Sequence, residues 1–126
     1  MIAVDTSSFV AYFADVNGED VEAVDEALAL KQVIIPPVVL SEILSMKTLP
    51  EKVIDLLKSI ELLEIGSGYW ERVGELRRSL LLSGRKARLA DTMIAQSCID
   101  HHTSLITRDA DFSHFIKSGL KLVVRV

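Results

Sequence analysis

Five short apolar runs separated by helical stretches constrain this chain more than any other feature. Ile2 to Val4, Val33 to Ile35, Leu62 to Ile65, Ser104 to Thr107 and Leu120 to Val124 are rich in Val, Ile and Leu. Each is too short for a helix and is bounded by turn-forming or charged residues, so each reads as a buried strand. The intervening segments show helical spacing. Thr6-Ser7-Ser8 offers capping hydroxyls ahead of Phe9 to Phe13, Asp20 to Leu30 forms a second helix, and Pro36-Pro37 opens a third from Val38 to roughly Lys47. Pro50-Glu51 begins a fourth, ending about Ser59. Tyr69 to about Ser83 is a fifth, with Trp70, Val73, Leu76, Leu80 and Leu81 inward and Gly84 stopping it. Leu89 to Cys98 is the sixth, and a short helical turn carries Phe112 and Phe115. Strands alternating with helices predict an α/β fold, with a mostly parallel sheet covered on both faces.

A chain of 126 residues, 49% of them hydrophobic, is of a size to build one core, so residues 1–126 read as a single domain. No apolar run approaches the roughly 20 residues a membrane span needs, and Met1-Ile-Ala-Val-Asp5 lacks the pattern of a secretory signal, so a cytoplasmic location is expected. Cys98 is the only cysteine. It excludes an internal disulfide and a thiolate metal cage, and reads as a small core residue.

The acids are the anomaly in this apolar framework. On a helical wheel Ala87, Ile94, Ala95 and Cys98 lie within roughly 60° of Asp91, which puts a carboxylate at the centre of an apolar stripe. Val38, Val39, Met46 and Leu49 flank Glu42 in the same way. Asp5 and Asp109 are each the first acid after a predicted strand, and in parallel sheets the binding crevice lies beyond the carboxyl ends of the strands. Singly, each acid has a plain explanation: Asp5 caps a helix, Glu42 snorkels to water, Asp91 accepts from an Arg or a hydroxyl, and Asp109 with Asp111 makes a turn. Together they point to one pocket, because an unpaired carboxylate taken from water costs several kcal/mol or more.

Clustered carboxylates repel, and a hard cation relieves the repulsion. A donor set of oxygens without His or Cys selects Mg²⁺ or Mn²⁺ over zinc. Such an ion can hold a phosphate and lower the pKa of a bound water, which implies phosphodiester hydrolysis. Ser7 and Thr107 can donate to a carboxylate beside the cluster, although capping and turn chemistry are competing uses for both hydroxyls. His101 and His102 follow the sixth helix with no partner in view and are left out of the site.

The net charge of −4 looks unsuited to a nucleic-acid partner. Setting aside the four pocket acids leaves fourteen, equal to the fourteen Lys and Arg, so the remaining surface is formally neutral. Six cations precede Asp91. Arg72, Arg77 and Arg78 read equally as a solvated helix face paired with Glu71 and Glu75, whereas Arg85, Lys86 and Arg88 in the following loop are placed for phosphate contact.

Four motifs, in order, also carry a resemblance. Val4-Asp-Thr-Ser7, Ser41-Glu-Ile43, Leu89-Ala-Asp-Thr-Met-Ile-Ala95 and Leu105-Ile-Thr-Arg-Asp-Ala-Asp-Phe112 resemble those of PIN domains, and more narrowly of VapC-type ribonuclease toxins. The resemblance spans nearly the whole chain. It implies a three-layer α/β/α domain, a Mg²⁺- or Mn²⁺-dependent endoribonuclease acting on RNA, homodimer formation and a VapB-like antitoxin partner. Carried over position by position, Asp5, Glu42, Asp91 and Asp109 match the family's metal-holding catalytic acids, Asp111 an additional acidic position, and Thr107 a recurrent hydroxyl. Three other readings compete. A haloacid-dehalogenase-type phosphotransferase requires an acid where Ser7 stands. A response-regulator receiver requires an acidic neighbour for Asp5 and a better receptor than Glu64. A non-catalytic PIN-like dimerisation or scaffolding module would be favoured by loss of an acid, and none is lost.

Overall fold

A computed structural model describes residues 1–124. Its centre is β1, Ile2–Val4, which hydrogen-bonds in parallel to β2, Val33–Ile34, on one side and to β3, Leu105–Ile106, on the other. Ile2 lies opposite Val33, Ala3 opposite Ile34 and Leu105, and Val4 opposite Ile106. Single parallel bridges extend the sheet at both edges, Ile35 to Leu62 beyond β2 and Leu105 to Leu122 beyond β3. The chain therefore builds outward from β1 through β2 to Leu62, then returns to lay β3 on the other side of β1. That reversal puts a topological switch point between β1 and β3, where parallel sheets open a crevice at the carboxyl ends of their strands.

The two outer strands expected at 62–65 and 120–124 shrink to those bridges. Of the first run only Leu63 is buried; Ile65 is 41% exposed, and the Glu64 carbonyl is turned to His101 Nε2 at 2.7 Å, so the ladder ends there. In the second, the Leu105 N–H reaches the Lys121 carbonyl and the Val123 N–H returns to the Leu105 carbonyl, after which the chain bends.

Among the described residues six α-helices surround the sheet: α1 Thr6–Phe13, α2 Glu19–Ala29, α3 Pro37–Leu44, α4 Glu51–Ser59, α5 Tyr69–Leu82 and α6 Leu89–Asp100. The layered α/β fold expected from the alternation is the one observed. α6 packs along α5 and touches α3, while α1 packs on α2 and α3. Ile94, Ala95 and Cys98 are buried as the wheel predicts, but so are Thr92, Gln96 and Ser97, so α6 is enclosed on more than one side. Those polar groups are satisfied by the Arg88 carbonyl, Asp100 and the Tyr69 hydroxyl. Burial of Cys98 pushes its thiol up to about 12, as expected of an inert core residue.

Three helical details differ from expectation. In α5 the inward face is Tyr69, Val73, Leu76 and Leu80, whereas Trp70 and Leu81 are 57% and 48% exposed. Tyr69 tolerates burial because its hydroxyl donates to the Met93 carbonyl at 2.8 Å. α3 stops at Leu44, where Ser45 Oγ bonds back to the Ser41 carbonyl, and Met46 is left exposed. α1 begins at Thr6, so the three hydroxyls lie inside its first turn instead of capping it. Beyond β3 a nine-residue 3₁₀ helix, Ala110–Ser118, holds Phe112 and Phe115 three apart on one face; both are buried, with ring centroids 5.9 Å apart.

Candidate active site

Asp5 is the first residue past β1, its N–H bonded to the Ile106 carbonyl and its side chain buried. Two hydroxyls converge on the same oxygen, Oδ2: Ser7 Oγ donates at 2.7 Å and Thr107 Oγ1 at 2.9 Å. Burial nevertheless raises the Asp5 pKa, the hydroxyls and the Thr6 and Ser7 N–H groups offsetting only part of the desolvation. Thr107 is itself wholly buried, and its Oγ1 accepts the Asp109 N–H at 3.0 Å. One hydroxyl thus links the ends of β1 and β3, where the acids Asp5 and Asp109 stand.

Asp109 also serves its own helix, since its Oδ1 accepts the Asp111 N–H at 2.9 Å at the start of the 3₁₀ segment. Glu42 approaches from α3, and its Oε1 accepts a 2.7 Å hydrogen bond from Thr6 Oγ1 on α1. Asp91, half-buried in the first turn of α6, has its pKa pushed up to about 6. Burial is the largest cause, followed by the negative charges of Asp5 and Asp109 and, more weakly, Glu42; Arg88 opposes them. Asp91 therefore feels carboxylates from three distant segments, Asp5, Asp109 and Glu42. Among the described residues, the ion pairs are Arg72–Asp100, Lys86–Asp111 and Arg108–Asp20, and none engages the four acids.

This donor set suits a hard divalent cation: every group is an oxygen, and burial together with the neighbouring negative charges raises the Asp91 pKa to about 6. Among the described residues no three His, Cys, Asp or Glu side chains already close on one point as a finished cage.

The remaining predicted residues are less concentrated. Asp111 is tied to Lys86 at 3.0 Å, which lowers its pKa. Lys86 is thereby engaged, while Arg85 and Arg88 make no ion pair among the described residues. The loop they occupy is pinned by Arg77 Nε donating to the Ala87 carbonyl at 2.8 Å. His101 belongs to the end of α6 opposite Asp91. Two features escape a reading of the sequence: Thr6 as the donor to Glu42, and a network in which buried Ser8 and Asp20 meet the part-exposed Arg108. Asp20 opens an acidic helix that reads as solvated, and no periodicity signals its burial.

The PIN domain family matches residues 2–117. No curated protein is matched by the sequence. Among solved structures the chain is similar to FitAcB from Neisseria gonorrhoeae, with TM-score 0.68, 19% identity, and 97% of this chain and 96% of that one covered. It is also similar to VapBC-5 from Mycobacterium tuberculosis, a member of the VapBC family of toxin-antitoxin systems, with TM-score 0.67, 22% identity and coverage of 99% and 98%. At these identities the structures share the fold.

Proposed function

The chain belongs to the PIN-domain family, and from that premise we propose that it is a divalent-metal-dependent endoribonuclease, one domain over residues 1–126, and the toxin of a VapBC-type pair. The observation that carries this reading is that Asp91 lies within electrostatic reach of Asp5, Asp109 and Glu42, with none of the four ion-paired among the described residues. The likeness to a VapBC structure supports the antitoxin partner. A homodimer and a cytoplasmic location complete the proposal; among the described residues no helix is long and apolar enough to cross a membrane.

In this reading Asp5, Glu42, Asp91 and Asp109 would hold Mg²⁺ or Mn²⁺, which would supply positive charge toward the RNA phosphate and make bound water more acidic. Ser7 and Thr107 fix Asp5 through Oδ2, and Thr6 fixes Glu42, so neither carboxylate is free to rotate toward bulk water. Asp91 would have to be unprotonated to serve as a ligand, so metal affinity should weaken as pH falls below about 6. Arg88 lies within electrostatic reach of Asp91, and in this reading it would hold RNA phosphate together with Arg85 and Lys86.

Incubating the protein with single-stranded RNA tests the reading. Cleavage should require Mg²⁺ or Mn²⁺, stop with chelator and return when Mn²⁺ is restored; cutting that persists in chelator would overturn it. Replacing Arg85, Lys86 and Arg88 together by Ala should weaken RNA binding and make the slope of log affinity against log salt shallower by about 2, since each single-strand phosphate that a cation neutralises contributes roughly 0.7 to that slope. An unchanged slope would remove the loop from the interface.

A further inference from the structure

Arg108 stands between Thr107 and Asp109, yet its side chain goes to the other side of the strand end. Its guanidinium forks onto Asp20, Nε to Oδ2 at 2.9 Å and Nη2 to Oδ1 at 3.0 Å, and Nη2 also donates to the Asn17 carbonyl at 3.2 Å. Asp20 Oδ2 accepts as well from Ser8 Oγ at 2.8 Å, and both Asp20 and Ser8 are buried. Three pieces of chain are thereby locked together: α1, which carries Thr6 and Ser7; the start of α2; and the segment holding Thr107 and Asp109. The fit is close, since a Cβ added at Gly18 would stand 2.5 Å from Asp20 Oδ1 and 2.7 Å from Arg108 Nη2.

We infer that the Ser8–Asp20–Arg108 clamp is a positioning device for the acid crevice, holding residues 107–109 in the register that lets the Thr107 hydroxyl reach Asp5. The inference rests on the nuclease reading and deepens it. A bidentate guanidinium fixes both the position and the plane of its partner, which a point-charge ammonium does not. Along an extended backbone, side chains alternate between faces, so anchoring Arg108 on one face sets Thr107 and Asp109 on the other. The clamp therefore acts on the acids through backbone placement, while itself lying outside the crevice.

Two variants of the full chain test it. Arg108→Lys keeps the charge and loses the fork; Gly18→Ala keeps every charged group and wedges the clamp. Each is assayed for Mn²⁺ binding by titration calorimetry, for melting temperature, and for kcat and KM on a single-stranded RNA oligonucleotide. Both should stay folded, bind Mn²⁺ about 10-fold or more weakly, as removal of an outer partner does at metal sites, and lose kcat with KM unchanged. Folded variants with native Mn²⁺ affinity and kcat, lowered only in melting temperature, would overturn the inference and leave the nuclease reading intact. If Arg108→Lys fails to fold, Gly18→Ala decides the matter alone by the same Mn²⁺ measurement. Wild-type protein that neither binds Mn²⁺ nor cuts RNA would overturn both.

Discussion

Asp91→Asn should reduce RNA cleavage by more than about 100-fold, beyond the range typical of removing an outer partner at a metal site, while making the metal-free protein more stable. The stabilisation follows from the direction of the pKa shift. The folded-state value for Asp91 is raised to about 6 from 3.8, so between those pH values the folded chain holds a proton that the unfolded chain has released. Stability from this group is complete below about pH 4 and is lost as pH rises through about 6. Asparagine removes that loss. One pKa unit corresponds to about 1.4 kcal/mol, and solvent screening of a half-exposed carboxylate leaves roughly 1–2 kcal/mol at neutral pH. Cleavage and metal-free denaturation curves at pH 4.5 and 7.5 measure both effects. The stability gain should be present at pH 7.5 and much smaller at pH 4.5. An active Asp91→Asn protein, or one destabilised equally at both pH values, would refute the role given to this acid.

Saturating Mn²⁺ should raise the melting temperature by about 10 °C at pH 7.5. A ligand at 100 times its Kd adds about 2.7 kcal/mol to the stability of the state that binds it, and for a chain of this size each kcal/mol is worth roughly 4 °C. The gain should shrink at pH 5, where protons compete for Asp91, and should nearly vanish in Asp91→Asn. Calorimetric scans with Mn²⁺ and with chelator supply the comparison. A melting temperature indifferent to millimolar Mn²⁺ would refute cation binding by the crevice.

Much of this architecture is legible in the sequence because its signals are local. Pro36-Pro37 announces α3, and Pro50-Glu51 opens α4, which runs to Ser59. The inward placement of an acid on α6 follows from counting around a wheel, since Ile94, Ala95 and Cys98 must all be buried and Asp91 shares their direction. Other features depend on tertiary partners that periodicity does not encode. Tyr69 and Trp70 are adjacent and both aromatic; the former is inside because the Met93 carbonyl and Ser97 hydroxyl meet its phenol there. Ile65 has the composition of a strand residue, but no neighbouring strand continues past Leu63 to pair with it. Thr6, Ser7 and Ser8 read alike as caps, whereas the fold sends their hydroxyls to Glu42, Asp5 and Asp20 respectively. Asp20 has the local sequence of a surface acid, and Arg108, 88 positions away, together with the Ser8 hydroxyl gives it a reason to be inside.

The middle strand of the sheet has a bearing on when the surroundings of Asp5 can assemble. β1 emerges early in translation, yet its β3 edge stays open and Asp5 lacks the Thr107 hydroxyl until a segment 102 positions downstream has been made. Until residues 105–107 have been made, β1 keeps one unpaired edge and Asp5 has one hydroxyl donor fewer, however well the earlier portions have folded.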